Sequence, residues 1–450
     1  MARQSVHTMT EAERFLFQEL PKSPRQVFRG QAGLNRARHL LSALGNPQDK
    51  FPVIHIAGTS GKGTSAYVTA SFLLAAGRSV GLHVSPHVYD FRERMQVNGR
   101  FISESELCRH INTLLPIIEA MITSEHGSPT YFEVSLALAL LAFAEYDLDY
   151  MVIETGMGGL YDATNLISRP DKLVILTQIG FDHTHVLGTT IAAIAEQKAG
   201  IIRLRNHAIA LWQEPDARKQ FEDQAERVQA TLEYLQPNQV APVSAMRPQG
   251  TIFELQLADW NWHGLEVSLP GEHQVANTAL AMRAVQYLAQ RDDFELSEAN
   301  ARKVLKHIHI PARFEMRQFK GKSIILDGAH NPQKLASLAR TLRVVFPGQA
   351  LVFLIAMSDS KDSAASLKQL VPLARQIYLT NFWSSKQDML HLAQAPHKLA
   401  DQLNLLGFSN WQVSENSRDA FEQAVAAADP VLVIAGSFYF IGELEPYFNT

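Results

Sequence analysis

The sequence has 450 residues, a formal charge of −4 at neutral pH and 46% hydrophobic residues. That length exceeds a single core, so two or three domains are expected, and the charge balance gives no bulk electrostatic case for nucleic acid. Cys108 is the single cysteine, which excludes an intramolecular disulfide and a cysteine metal cage and fits a reducing cytoplasm. Met1 to Leu20 is charged and lacks the apolar core of a signal peptide. The most apolar stretch, Val134 to Ala144, is too short to cross a bilayer and reads as a buried helix. The expectation is a cytoplasmic protein with no membrane or nucleic-acid partner.

In chain order, the first fifty residues predict two helical pieces. Leu34, Ala37, Leu40, Leu41 and Leu44 form one apolar stripe, stopped by Gly45-Asn46-Pro47. Pro52 to Ile56 is a β-branched run that predicts a buried strand. It leads into Gly58-Thr59-Ser60-Gly61-Lys62-Gly63-Thr64, and then into an Ala-rich helical stretch to Ala76. Strand, glycine loop and helix is the setting in which such a loop cradles phosphate. The glycines allow close backbone approach, the helix N-terminus presents N–H groups, and Lys62 adds charge. The loop is shorter than the usual Walker spacing, and in this it resembles the ATP loop of the Mur ligase superfamily.

A second strand, Ser79 to Val84, ends in Ser85. That position serves either as a turn cap or as a metal ligand facing the crevice of a parallel sheet. Asn98-Gly99 between apolar alternations predicts a hairpin with a type I′ turn. Ser103 with Glu106, and Thr130 with Glu133, are capping boxes that open helices through Met121 and from Tyr131 to Tyr146. Tyr150 to Glu154 is an apolar strand ending in one acid. A lone acid there is more often a helix or turn cap, but the glycine-rich tail and the upstream Lys62 loop favour the arrangement in which a carboxylate holds Mg²⁺. The Thr155 to Gly159 loop after it is read as open to close ligand approach.

Lys172 to Thr177 predicts the next strand, with His183 just beyond it as a candidate ligand. Lys198 closes the following helix, where its charge also suits the helix dipole. Thr251 to Leu257 and Trp262 to Leu269 alternate as an antiparallel pair. Ile308 to Ala312 reads as a linker, after which strands at Ser323–Leu326, Leu351–Ile355, Gln376–Leu379 and Val431–Ile434 alternate with helices.

The ordered set of motifs resembles the folylpolyglutamate synthase/dihydrofolate synthase family. It comprises Gly58 to Thr64, Ser85-Pro86-His87, Phe91-Arg92-Glu93-Arg94, Glu154 to Gly159 and Asp162-Ala163-Thr164-Asn165. It continues through Asp182-His183-Thr184, Lys198 to Ile201, Asp327 to Pro332 and Gly436 to Tyr439. The resemblance implies an α/β fold: a P-loop ATPase domain with a parallel-dominated sheet over residues 1–308, and a smaller Rossmann-like C-terminal ligase domain over residues 309–450.

It also implies residue roles. Gly58, Thr59, Ser60, Gly61, Lys62, Gly63 and Thr64 would hold ATP, with Asn277, Arg313, Asp327 and His330. Ser85, Glu154 and His183 would hold Mg²⁺, with Lys198 as the family's carbamylated lysine. Lys62, His183, Lys198 and Arg313 would carry the catalysis. Thr130, Tyr131, Phe132, Glu133, Tyr161, Asp162 and Ala163 would line the folate side. The implied activity is ATP-dependent ligation of L-glutamate to a folate or dihydropteroate by a monomer.

Three positions depart from the family pattern. Ser60 stands where Asn is usual, Leu160-Tyr161 where Arg-Leu is usual, and Gln31-Ala32 lacks an acid before Gly33. They bear on the pterin substrate. The competing readings are a Mur-type ligase for another carboxylate, such as a peptidoglycan precursor, and a nucleotide-dependent switch that hydrolyses ATP without ligating.

Overall fold

A computed structural model describes residues 5–21, 30–257, 259–383 and 392–449. The chain divides into two compact units. The first comprises Met1–Ala241, Leu255–Trp262 and Ala276–Val304; the second comprises Pro242–Glu254, His263–Val275 and Leu305–Thr450.

The first unit is organised on an eight-stranded sheet. Its strands are β1 (Val53–Ala57), β2 (Val80–His83), β3 (Gln96–Val97), β4 (Arg100–Phe101), β5 (Tyr150–Glu154), β6 (Leu173–Leu176), β7 (His207–Leu211) and β8 (Thr231–Leu235). The order is β4-β3-β2-β5-β1-β6-β7-β8. Six of the strands run parallel, and the β3–β4 hairpin closes one edge antiparallel. The central strands β1, β5 and β6 are buried along their whole length. That is why they read as continuous apolar runs and not as alternations. Asn98 and Gly99 take φ of 51° and 73° at the hairpin, as a type I′ turn requires.

Helices cover both faces. One core gathers Phe15, Leu40, Leu114 and Leu138 with Met151 and Ile153; the other gathers Val174, Leu176, Ile194 and Phe221. The helix Tyr131–Ala144 is apolar all round and buried, as its sequence predicts. Among the described residues no helix is long and apolar enough to cross a membrane.

A three-stranded sheet follows, of β9 (Val240–Arg247), β10 (Gly250–Leu257) and β11 (Trp260–Val267), in the order β11-β10-β9. The expected pair therefore has a third strand, which its weak alternation hid.

The second unit carries a six-stranded sheet of β12 (Glu315–Phe319), β13 (Lys322–Asp327), β14 (Leu351–Ile355), β15 (Ala374–Thr380), β16 (Trp411–Ser414) and β17 (Val431–Ala435). The order is β12-β13-β17-β14-β15-β16, and only β12 is antiparallel. The two edge strands β12 and β16 are half exposed, and their mixed composition gave no apolar run to find.

One buried ion pair ties the helix Gln31–Ala43 to the helix Tyr131–Ala144. The Arg36 guanidinium donates to both oxygens of Glu133, Nε to Oε2 at 2.8 Å and Nη2 to Oε1 at 2.9 Å, with side chains 4% and 6% exposed. Arg36→Ala leaves the Glu133 carboxylate buried without its cation. A chemical-denaturation midpoint should report a loss of about 3–5 kcal/mol.

Candidate functional site

The carboxyl ends of β1, β2, β5 and β6 lie at one end of the parallel sheet, and the predicted phosphate loop emerges there. The helix begins at Lys62, two residues earlier than expected, with its first intrahelical bond from Ser65 N–H to the Gly61 carbonyl at 2.9 Å. Thr59 and Ser60 turn their N–H groups to the Gln178 carbonyl, at 2.9 and 3.2 Å. Thr59 is held further by its hydroxyl, which donates to the Gly180 carbonyl at 3.0 Å.

Two of the loop glycines are required by contact. A Cβ on Gly58 would strike the Thr177 hydroxyl, and one on Gly61 would strike the Asn277 amide. Gly61 also has φ of 94°, a left-handed conformation that other residues adopt at a cost. Asn277 thus lies against the loop although it is 216 positions away in sequence. Ser65 sends its hydroxyl to the Asn277 carbonyl at 3.4 Å.

Lys62 reaches the strand-end acid: its Nζ lies 3.8 Å from Glu154 Oε1, with side chains 16% and 4% exposed. The other oxygen of Glu154 accepts the Ser85 N–H at 3.1 Å. Lys62, Ser85 and Glu154 are therefore brought together. Lys198 joins the loop from the end of the helix Ile191–Ala199. Its Nζ, on a residue only 4% exposed, donates to the Gly58 carbonyl at 2.8 Å.

His183 sits at the start of the short helix Thr184–Leu187 with φ of 49°. Its ring Nε2 is 3.8 Å from Asp182, and its side chain is 26% exposed. No three His, Cys, Asp or Glu side chains converge among the described residues. The donor set at Glu154 and Ser85 is oxygen-based, with one carboxylate. That suits Mg²⁺, which takes one or two carboxylates and completes its shell with water and substrate phosphates.

The loop after Glu154 is packed closely at two of its glycines. A Cβ on Gly156 would meet the Phe132 ring at 2.5 Å, and one on Gly159 would meet the Gln197 carbonyl oxygen at 2.7 Å. These two glycines make room for a neighbouring helix on each side. Phe132 is thereby placed against the loop.

Thr130 and Glu133 form the capping box, and Glu133 also holds Arg36. Tyr131 is fully buried and stacks in a cluster with Phe17 and Phe91. Asp162 and Ala163 are buried as well, and Tyr161 is 47% exposed. Burial pushes the Asp162 carboxyl up; bonds from the Thr164 hydroxyl and from the Met157, Thr164 and Gly156 backbone pull it down.

In the second unit the strand end of β13 gathers Arg313, Asp327 and His330. Arg313 stands between two residues in left-handed backbone, Ala312 at 51° and Phe314 at 47°. Such conformations cost about 1–3 kcal/mol each and concentrate at functional sites. Its guanidinium lies 4.4 Å from the centroid of the Phe438 ring. Asp327 accepts the N–H groups of Phe314 and Ala329 at 2.9 and 2.8 Å. Burial raises its pKa, against the pull of the Arg313 charge and those two bonds. His330 Nδ1 faces the Gly328 carbonyl at 2.8 Å, and Nε2 faces Lys334 Nζ at 3.0 Å. A carbonyl cannot donate, so Nδ1 carries the proton and Nε2 accepts from the ammonium.

Comparison with known proteins decides what this set belongs to. Residues 56–285 match the Mur ligase middle domain, and residues 312–447 match the C-terminal domain of dihydrofolate synthetase. The dihydrofolate synthase/folylpolyglutamate synthase of Bacillus subtilis is 31% identical over 424 residues, covering 94% of this chain and 96% of that one. The chain belongs to the folylpolyglutamate synthase/dihydrofolate synthase family.

Among other members, the yeast dihydrofolate synthetase is 28% identical and covers 93% of this chain and 98% of its own. The structure of Mycobacterium tuberculosis folylpolyglutamate synthase complexed with ADP superposes with a TM-score of 0.86 at 28% identity, over 98% of each chain. The fold expected from sequence, a parallel-dominated ATPase sheet with a separate α/β domain, is the one found. Sequence reading missed Thr177 and Gln178 at the loop and Arg36 behind Glu133. The last pair had a signal: each is a lone charge on an otherwise apolar helix face.

Proposed function

We infer that this chain is an ATP-dependent amide ligase that adds L-glutamate to a folate. The reaction extends tetrahydrofolate, converts dihydropteroate to dihydrofolate, or does both, and releases ADP and phosphate. The observation that carries the reading is the pairing of Lys62 with Glu154 at the mouth of a Gly-Lys loop, in a chain of this family.

The chemistry follows from the substrates. A carboxylate is a poor electrophile. One of its oxygens attacks the γ-phosphorus of ATP, ADP leaves, and an acyl phosphate forms. The glutamate amine then attacks the carbonyl carbon and loses a proton, phosphate departs, and an amide remains. No nucleophilic side chain is needed; what the protein supplies is positioning and charge.

The backbone at the start of the Lys62–Ala75 helix and the Lys62 ammonium would hold the phosphates, with Asn277 fixing the loop. Ser85, Glu154 and His183 would hold Mg²⁺, which neutralises phosphate charge when bound. The nucleotide roles of Arg313, Asp327 and His330, the folate roles of Phe132, Tyr161, Asp162 and Ala163, and the division at residues 1–308 and 309–450 belong to the same proposal. So do a monomeric state and a place in the cytoplasm.

The deciding assay measures ADP release with dihydropteroate and with tetrahydrofolate in parallel. Release that needs both a folate and glutamate supports the ligase; release with ATP alone overturns it. The metal assignment has its own check. Glu154→Ala and His183→Ala should each raise the Mg²⁺ needed for half-maximal rate about tenfold or more, and weaken Mg²⁺–nucleotide binding by calorimetry. A lower melting temperature with unmoved Mg²⁺ dependence would reduce both residues to turn caps.

A further inference from the structure

His55 lies in the middle of β1, paired with Ile153 on one side and Val174 on the other, and is completely buried. Its strand neighbours are Val53, Ile54, Ile56 and Ala57, all buried and apolar. A polar ring there breaks the local pattern, and such breaks gather at functional sites. Its Nδ1 has no hydrogen-bond partner among the described residues, while its Nε2 lies 2.8 Å from the Thr164 hydroxyl.

The direction of that bond can be worked out. Thr164 has one hydroxyl proton, and it is donated to Asp162 Oδ1 at 2.6 Å. His55 must therefore be the donor, so the ring carries its proton on Nε2. Burial, with Lys172 and Arg203 nearby, keeps the imidazole neutral. Beyond Thr164, Asp162 Oδ1 also accepts the Thr164 N–H at 3.0 Å, and Oδ2 accepts the Met157 N–H at 2.8 Å. A continuous chain of hydrogen bonds thus joins the strand that leads into the phosphate loop to the turn that follows Glu154, with the donors on both sides converging on the Asp162 carboxylate. That turn is also held by Leu160 N–H to the Gln197 carbonyl at 2.6 Å, next to Lys198.

We propose that His55 is a positioning residue: through the Thr164 hydroxyl it orients the Asp162 carboxylate and sets the Gly156–Asp162 turn in the geometry that receives the carboxylate substrate. The role rests on the ligase reading above. It reaches the substrate only through Thr164 and Asp162, so its loss shows in binding of one substrate and not in the chemistry of ATP.

The test uses the full-length enzyme and three variants. Gln places an amide N–H close to the position of Nε2, so His55→Gln retains the donor. His55→Leu removes it. Thr164→Val keeps the shape of Thr164 and removes the relay, should His55→Leu fold poorly. His55→Leu and Thr164→Val should raise KM for the folate about tenfold, with KM for ATP moving less than twofold. His55→Gln should return the folate KM to within about threefold of wild type. Amide hydrogen exchange at Met157 should quicken in Thr164→Val and His55→Leu and stay slow in His55→Gln. Unchanged folate KM and unchanged exchange in Thr164→Val overturn the proposal. So does an equal rise in both KM values with Gln no better than Leu. If the wild type shows no folate-dependent ADP release, the ligase reading fails, and Met157 exchange still decides whether the relay holds the turn.

Discussion

Lys62→Ala is expected to lower glutamate-dependent ADP release by about 10³-fold or more while the protein remains folded. Lys62 is the first residue of its helix, and its Nζ lies 3.8 Å from Glu154 Oε1. In phosphoryl transfer the charge that develops on the moving group must be met by fixed positive groups, and removing one such group costs about 10²–10³ in rate. The loss exceeds that range because the variant is also expected to bind nucleotide more weakly, with one positive charge fewer at the helix start. Stability should change little. Lys62 makes a long contact with Glu154, and the loop is held by backbone bonds of Thr59 and Ser60 that do not involve it. Circular dichroism, a thermal melt and nucleotide calorimetry check each part. Wild-type turnover in the variant would remove the phosphate-loop reading.

On the proposal that the working form of Lys198 is a carbamate, Lys198→Ala is expected to lose most activity. Lys198 is only 4% exposed, with Nζ turned onto the Gly58 carbonyl at 2.8 Å. An ordinary lysine is an ammonium at neutral pH, with a pKa of about 10.4, and a buried ammonium needs compensation. The neutral amine attacks the carbon of CO₂ and releases one proton, giving an N-carboxylate. The side chain would change from +1 to −1 and become an oxygen donor beside the loop, of the kind Mg²⁺ prefers.

With ¹³C-bicarbonate, the wild type should show a carbamate carbon resonance that Lys198→Ala lacks. Removing CO₂ should slow the wild type, and short carboxylic acids at high concentration should restore part of the variant's activity. Full activity in Lys198→Ala would leave Lys198 as a helix-end lysine bonded to Gly58.

The local structure was legible in the sequence because its causes are local. β1, β5 and β6 are apolar runs because both faces of the sheet are covered. The capping boxes at Ser103 and Thr130 form as written, each a bond between residues three apart. The Gly-Lys loop lies between a strand and a helix because those neighbours are covalently next to it.

The tertiary structure decided which residues meet. Asn277 closes on Gly61, Lys198 on Gly58 and Arg36 on Glu133 across long stretches of chain, and no spacing in the sequence encodes those pairs. Packing also decided what the glycines after Glu154 are for. The sequence leaves open what lies against Gly156 and Gly159, and the fold sets the Phe132 ring and the Gln197 carbonyl there. The role inferred for His55 arises in the same way. Only the fold brings Thr164 within 2.8 Å of its ring, 109 residues along the chain, so the strand pattern alone marks it as a polar exception without a partner.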